Sequence, residues 1–284
     1  MILTDSTAAR VQGSTVTGII SVSSTFLQFM QYAALTVSSA ISGTIGLVKN
    51  GAAQLTLSGT CTYTGPTQIN AGTLAVTGAS TLNGVISGSG SLTKTGTAVL
   101  TIGGNNTYSG GTSFVSGGLA GLISYSSNNA FGTGLFTLSN AAGRIDTGGN
   151  VTLSNNFQLN TSMQFRTIGA NTITVSGNIA GTGNIDKTGN GILILSGTLT
   201  YTGQTIITTG SIRASKTTGI STATASFVTT ATLSVSFNVP PAAGTQTFRF
   251  FQGSTSRTYT AVTLVNAPGR TATYNSTNST LTVT

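Results

Sequence analysis

The chain has 284 residues and a formal net charge of +8, from 11 Lys and Arg residues and only three acidic ones, Asp5, Asp146 and Asp186. Charged residues make up 5% of the chain, where about 25% is usual, and there is no His. This composition excludes a Ser-His-Asp triad and zinc sites built on His or Cys clusters. The 38% of hydrophobic residues is also unlike a disordered chain.

The segment 1–40 precedes the repetitive part of the chain and holds the densest aromatic cluster of the first half. Phe26, Phe29, Met30 and Tyr32 lie close together in "STFLQFMQYAALTV". Met and aromatic residues are enriched at subunit interfaces, but they also suit a plug over the open end of a repetitive fold. We predict a cap or assembly segment. A homo-oligomer, with a trimer as one form, is the corresponding hypothesis.

Three segments of the next region, 41–230, align without a gap: 49–76, 94–121 and 187–214. Each contains Lys-x-Gly, then Leu-x-[Leu/Ile]-x-Gly, then Thr-Tyr-x-Gly-x-Thr. The structural repeat positions are Leu55, Leu100 and Leu193; Gly59, Gly104 and Gly197; Tyr63, Tyr108 and Tyr201; and Gly65, Gly110 and Gly203. The second interval between copies is close to twice the first, so we predict a diverged unit at about 140–186.

Within each copy, apolar and polar residues alternate in short runs such as "QLTLSG", and the runs end at Gly or Asn. This pattern predicts short β-strands and no helix. Strands that recur at a fixed interval favour an all-β fold, a parallel β-helix (β-solenoid) over 41–230. A unit of this length suits about two coils, so equivalent residues are expected to stack in columns. A β-sandwich also has evenly spaced strands, but it does not require one motif at the same place in every unit.

The last segment, 231–284, has strand-like runs divided by two proline-containing turns, which predicts a small antiparallel β cap or terminal domain. Basic residues dominate the end of the chain. Arg249, Arg257 and Arg270 are therefore candidate interface residues for an acidic surface, or else scattered solubilising charge. No nucleic-acid-binding motif accompanies them, so no nucleic-acid partner is expected.

Residues that could carry chemistry are few. Asp146 and Asp186 are the one pair that could act as carboxylates in glycan cleavage, yet isolated Asp residues are more typical of turns. Cys61 is the single cysteine, which excludes an intrachain disulfide, and we interpret it as a packing residue. We predict that the protein is not an enzyme and that it binds no metal or cofactor.

The repeated signature resembles the autotransporter-associated β-strand repeat. This repeat occurs in passenger regions of bacterial autotransporters, which are right-handed parallel β-helices. The resemblance covers about a third of the chain and implies a fold rather than an activity. The second copy departs from it at Gly117-Gly118-Leu119. The start, "MILTDSTAAR", is unlike a signal peptide, and we expect the scaffold without that signal or the family's translocator barrel.

These observations predict a non-enzymatic structural protein. Our first interpretation is a phage virion component, such as a capsid decoration, a fibre or a tail-associated protein, that provides rigid display or stabilisation beside other structural proteins. The alternative is a bacterial cell-surface adhesin or an extracellular filament subunit, with contact to a glycan or a host surface. The chain has no run of about 18 apolar residues, so membrane insertion is not expected.

Overall fold

A computed structural model describes residues 25–30, 33–203 and 205–215, and further strands at 2–3, 9–11, 15–16, 21–22, 225–227, 232–236, 246–249, 261–265, 271–275 and 280–283. All regular elements of these residues are β-strands, which confirms the predicted all-β class. No helix that could cross a membrane is found among them.

The chain divides into two compact units, Met1–Asp146 and Thr147–Thr284. The strands that begin in the first unit are β1 Ile2–Leu3, β2 Ala9–Val11, β3 Thr15–Val16, β4 Ser21–Val22, β5 Phe26–Met30, β6 Leu35–Val37, β7 Gly46–Asn50, β8 Leu55–Leu57, β9 Thr67–Ile69, β10 Thr73–Val76, β11 Ser80–Leu82, β12 Ile86–Ser87, β13 Ser91–Gly96, β14 Leu100–Ile102, β15 Thr112–Ser116, β16 Leu122–Tyr125, β17 Phe136–Asn140 and β18 Gly143–Thr147.

The strands of the second unit are β19 Val151–Leu153, β20 Phe157–Leu159, β21 Met163–Thr167, β22 Thr172–Val175, β23 Ile179–Gly181, β24 Ile185–Thr188, β25 Ile192–Leu195, β26 Thr205–Ile207, β27 Ser211–Ser215, β28 Ala225–Phe227, β29 Thr232–Ser236, β30 Gln246–Arg249, β31 Ala261–Val265, β32 Ala272–Asn275 and β33 Thr280–Val283.

The first unit is a parallel β-helix with three sheets. Sheet I contains β2, β5, β7, β9 and β12; sheet II contains β3, β6, β8, β10, β13, β15 and β17; and sheet III contains β11, β14, β16 and β18. In sheet II the register joins Leu35, Leu55, Leu74, Leu92, Thr112 and Phe136, one residue from each successive coil. The predicted solenoid is confirmed.

Alternation within each strand explains where the core lies. The apolar residues of β8, Leu55 and Leu57, are fully buried, while Thr56 between them is half-exposed. The same pattern in β6 and β14 stacks apolar side chains in columns inside the coil. A single coil could not bury these residues, so successive coils must stack to make the core.

The second unit follows the same plan. A six-stranded parallel sheet contains β19, β22, β25, β27, β29 and β31, and other parallel pairs join β20 with β23 and β24 with both β21 and β26. Within the segment 231–284, β29 and β31 belong to this parallel sheet, whereas β30, β33 and β32 form a separate antiparallel sheet.

The sequence repeat is out of phase with the coil. In the first copy Lys49 lies on β7 in sheet I, but the equivalent Lys94 lies on β13 in sheet II. The interval between these two copies therefore exceeds two full coils by roughly one side of the coil. The expectation that equivalent residues stack in columns is wrong, and the column neighbours of Lys94 are Val76 and Phe114.

Candidate functional site

The lysine that opens each sequence repeat lies inside the β-helix. Lys49, Lys94 and Lys187 each have 0% relative exposure and are among the largest fully buried side chains. Each occupies an inward position of its strand, where the alternation would place an apolar residue. The sequence analysis placed these lysines in the repeat signature but did not predict that they are buried. The signal that could have found them is their place in the alternation, as in "SLTKTG", where Lys94 falls two residues after the core residue Leu92.

In the first copy the ammonium group of Lys49 binds backbone oxygens of two coils. The side chain lies in a column between Phe29 and Ile69. Its Nζ donates hydrogen bonds to the carbonyl oxygens of Gly51 and Ala71, both at 2.9 Å. Gly51 has a φ of 82°, which lets the chain turn immediately after the lysine. The Lys-x-Gly motif thus forms a corner whose own carbonyl accepts from the lysine.

The third copy repeats this arrangement in the second unit. Lys187 Nζ donates to the carbonyl oxygens of Thr188 and Gly189, at 2.6 and 2.7 Å, and to Thr167 Oγ1 of the preceding coil at 3.1 Å. A Cβ atom added at Gly210, in the following coil, would lie 2.8 Å from this Nζ. The ammonium is therefore enclosed from both sides of its own coil.

The second copy keeps the corner. Lys94 Nζ donates to the carbonyl oxygens of Thr95 and Gly96, at 2.6 and 3.0 Å, and Gly96 has a φ of 71°. The end of this copy is the part that departs from the signature, at Gly117-Gly118. In the first copy, the corresponding end of the repeat contains Ala71, whose carbonyl oxygen accepts from Lys49. The start and the end of that copy therefore lie one coil apart and contact each other where the coils stack.

The burial of these ammonium groups has an electrostatic cost. Desolvation lowers the pKa of Lys94 to about 8. It also lowers the pKa of Lys187 to about 8, although the charge of Asp186 acts in the opposite direction. The pKa of Lys49 is lowered by burial as well. Since the side chains are inaccessible to solvent, these lysines can hold coils together but cannot meet a substrate.

The tyrosine of each copy is also buried, and its hydroxyl binds the threonine four residues later. Tyr63 and Thr67 are joined at 2.8 Å, and Tyr108 and Thr112 at 2.6 Å. The third copy has the same pair, Tyr201 with Thr205. Burial raises the pKa of each of these tyrosines, to about 12 for Tyr201. The tyrosine and the second threonine of the Thr-Tyr-x-Gly-x-Thr motif therefore form a hydrogen-bonded pair inside the core. Each hydroxyl has the partner that a buried polar group needs.

The six repeat glycines are explained by close approach rather than by backbone conformation. A Cβ added at Gly59 would lie 2.2 Å from the Ser39 carbonyl oxygen of the preceding coil, and one at Gly197 would lie 2.0 Å from that of Gly177. The same holds for the others, at 2.1 to 2.5 Å from backbone atoms: Gly65, Gly104, Gly110 and Gly203. Side chains at these positions would push neighbouring coils apart.

Of the predicted interface residues, the structure describes the side chains of three, all on β5. Phe29 is a fully buried core residue of β5, and Phe26 lies against Gly46, where an added Cβ would be 2.5 Å from its ring. Met30 is half-buried at the end of β5. Tyr32, Arg257 and Arg270 lie outside the described residues, and only the backbone of Arg249 is described, at the end of β30.

The remaining candidates for chemistry are held by local contacts. Asp146 is buried and forms an ion pair with Arg144, at 3.0 Å. Asp186 accepts hydrogen bonds from Gln164 and Thr208, both at 3.0 Å. Burial raises the pKa of the Cys61 thiol to about 11, which makes it a poor nucleophile. Within the described ranges no group of three or more His, Cys, Asp or Glu residues could hold a metal ion.

Comparison with known families agrees with the resemblance drawn from the sequence. Residues 47–76, 92–120 and 185–214 match the family described as the passenger-associated-transport-repeat. Each match begins shortly before a buried lysine, on the same strand, and includes the whole signature that follows it. The matches cover less than half of the chain, so the likeness is to the repeat. No curated protein and no solved structure matches the chain.

Proposed function

We propose that this protein is a non-enzymatic structural β-helix that serves as a rigid scaffold outside the cell. One observation carries the proposal: the signature residues of the repeat make their contacts inside the β-helix, within one coil or with the neighbouring coil. The lysines bind backbone oxygens, the tyrosines bind threonines, and the glycines make room for the neighbouring coil. The repeat thus supplies stiffness, and recognition is left to surfaces outside the signature.

The setting we favour is a phage virion, where the protein would act as a capsid decoration, a fibre or a tail-associated protein beside other structural proteins. Support comes from the near absence of charge on the surface of the described β-helix. Between residues 33 and 143 the charged residues are Lys49 and Lys94, and both are buried. A scaffold fixed to a particle needs less charge repulsion to remain dispersed than a free cytosolic protein does.

Fractionation tests this setting. Particles would be purified from the source culture on a density gradient, and the protein located by mass spectrometry and immunogold labelling. We expect it to band with particles at a fixed copy number and to be labelled on their surface. Its recovery in the cell-surface fraction, with none on particles, would contradict the virion setting and leave the structural role intact.

The match to a passenger-associated repeat favours a second setting, a cell-surface adhesin or extracellular filament subunit that contacts a glycan or a host surface. Here the protein would be released by shearing intact cells, and antibody would label the cell periphery. Light scattering on the purified chain tests the homo-oligomer in either setting. A monomer at micromolar concentration, with no assembly on particles or cells, would contradict it.

The absence of enzymatic activity is tested with the two central carboxylates. We expect no release of reducing ends from bacterial surface glycans by the purified protein, and no change in a double variant, Asp146→Asn with Asp186→Asn. Glycan cleavage that is lost in this variant, while its circular dichroism spectrum is retained, would overturn the non-enzymatic proposal.

A further inference from the structure

The outer face of sheet II carries two parallel rows of small side chains, which alternate with the inward core positions of each strand. The first row is Thr36, Thr56, Ala75, Thr93, Ser113 and Thr137, and the second is Ser38, Ser58, Thr77, Thr95, Val115 and Ser139. Ten of these twelve positions carry a hydroxyl group, and all of them except the covered Ala75 are at least partly exposed. Every member lies within the first unit.

Strand register places the members of a row side by side. Thr36 pairs with Thr56, Ala75 pairs with both Thr56 and Thr93, and the row continues in the same way through the later strands. In the second row, the hydroxyls of Ser58 and Thr77 lie 3.3 and 3.4 Å from carbonyl oxygens of the preceding coil, towards which they donate. Their orientation is therefore restrained, and their lone pairs remain available as acceptors.

The segment of the chain that contains both rows has almost no charge. Residues 33–143 include only two charged side chains, Lys49 and Lys94, and both are fully buried. The two rows themselves contain no aromatic and no long side chain. Beside the first row, Gln54 donates to Thr56 Oγ1 at 2.9 Å, and the side chain of Leu135, two residues before Thr137, is 50% exposed. The rows therefore offer short hydroxyl and methyl groups at regular intervals.

The intervals match those of tetrahedrally bonded water. Neighbouring strands lie about 4.8 Å apart, and alternate residues of one strand about 6.7 Å apart. Two water oxygens bonded to the same water, with O···O distances of about 2.75 Å and tetrahedral angles, lie about 4.5 Å apart, and the stacking repeat of such a lattice is about 7.3 Å. The differences are about 0.3 Å for each strand and about 0.6 Å between the two rows, so the two lattices stay in near register over a few neighbouring strands.

We propose that the outer face of sheet II binds the surface of ice. Uncharged hydroxyls can exchange their hydration water for lattice water at little cost, whereas charged groups hold water in arrangements of their own. A periodic face of short side chains suits a periodic solid better than a small ligand, since small-ligand sites are concave. This activity goes beyond the scaffold function and does not depend on whether the scaffold belongs to a particle or a cell.

Partition into slowly growing ice tests the proposal with the full-length chain. We expect the wild-type protein to be enriched in the ice fraction at least fivefold over serum albumin. Thr93→Lys, at the centre of the first row, should lower this enrichment to the albumin level, and Thr56→Lys is a second variant of the same kind. Gln68→Lys adds the same charge on the outer side of sheet I and should keep the wild-type enrichment.

Melting curves of all variants would establish that they are folded at the temperature of the assay. Exclusion of the wild-type protein from ice would overturn the proposal, and so would equal enrichment of wild type and a folded Thr93→Lys variant. Retention on microcrystalline cellulose together with exclusion from ice would overturn it in favour of a crystalline glucan. Loss of ice binding in Gln68→Lys would also contradict it, because sheet II is unchanged there.

Discussion

The buried lysines predict that the β-helix becomes more stable as the pH rises from 8 towards 10. In the folded protein the pKa values of Lys94 and Lys187 are about 8, below the usual value of 10.5. Between these values the unfolded chain binds more protons than the folded one, so deprotonation favours folding. Most proteins lack buried lysines of this kind and should not share this rise.

The size of the effect follows from the same values. The difference between about 8 and 10.5 corresponds to about 3 kcal/mol for each lysine over the whole interval. The slope for one lysine is at most about 1.4 kcal/mol for each pH unit. Above pH 10 the buried tyrosines oppose the rise, because their folded pKa values are raised and the unfolded chain loses its tyrosine protons first.

Urea unfolding followed by far-ultraviolet circular dichroism, at intervals from pH 7 to pH 10, measures this rise without relying on tyrosine absorbance. A double variant, Lys94→Met with Lys187→Met, should lose most of it. Its lower stability at pH 7, caused by carbonyl oxygens without an ammonium donor, does not depend on pH and cancels in the comparison. Gln68→Lys, which adds a lysine at a half-exposed position on the outer side of sheet I, should behave as wild type. An unchanged rise in the double variant would refute the reasoning.

Three further predictions concern the stacked coils. Gly197→Ala should destabilise the second unit by about 2–4 kcal/mol, because its Cβ would meet a carbonyl oxygen at 2.0 Å. The control Gly148→Ala has open space around it and should be nearly neutral. Equal midpoints of urea unfolding for the two variants would contradict this prediction. Tyr108→Phe should cost about 1 kcal/mol, because the buried Thr112 hydroxyl loses one hydrogen bond. Thr112→Val should cost more, because Thr112 both accepts from Tyr108 and donates to the carbonyl oxygen of Phe131; the reverse order in the same assay would contradict the assignment. Cys61 should resist a thiol reagent at pH 8 in the folded protein and react fully in urea, and rapid reaction without urea would show that it is accessible.

The fold could be predicted from the sequence because its causes are local. Alternation in runs such as Leu55–Leu57 fixes which side chains face inward, and glycines mark the places where the chain turns. Recurrence of one motif then requires stacked coils. The phase of the repeat could not be predicted, because the length of a coil depends on how many residues each corner takes. In sheet II the coil from Leu74 to Leu92 is shorter than the coil from Thr112 to Phe136.

The buried lysines were missed because the usual rule assigns charged residues to the surface. Lys49 is buried for another reason: the corner at Gly51 leaves carbonyl oxygens inside the core, and these oxygens need a hydrogen-bond donor. An ammonium with three hydrogens on a flexible stem can reach such oxygens, and the stem fills the apolar column. Three of the candidate interface residues could not be placed for a different reason, because Tyr32, Arg257 and Arg270 lie outside the described residues.

The phase difference between repeat and coil limits where a binding function can lie. If the repeat signature carried a recognition surface, copies in one unit would be expected to present it in the same direction, yet Lys49 opens its copy on sheet I and Lys94 on sheet II. Surface residues of the two copies are therefore displayed on different sides, and no face is built from equivalent positions. The hydroxyl rows of sheet II combine residues such as Thr56 and Thr93, which hold different places in their repeats. Their regularity is therefore not the copying of one motif. It follows from the alternation within each strand, which places Thr and Ser on the outer side of the sheet.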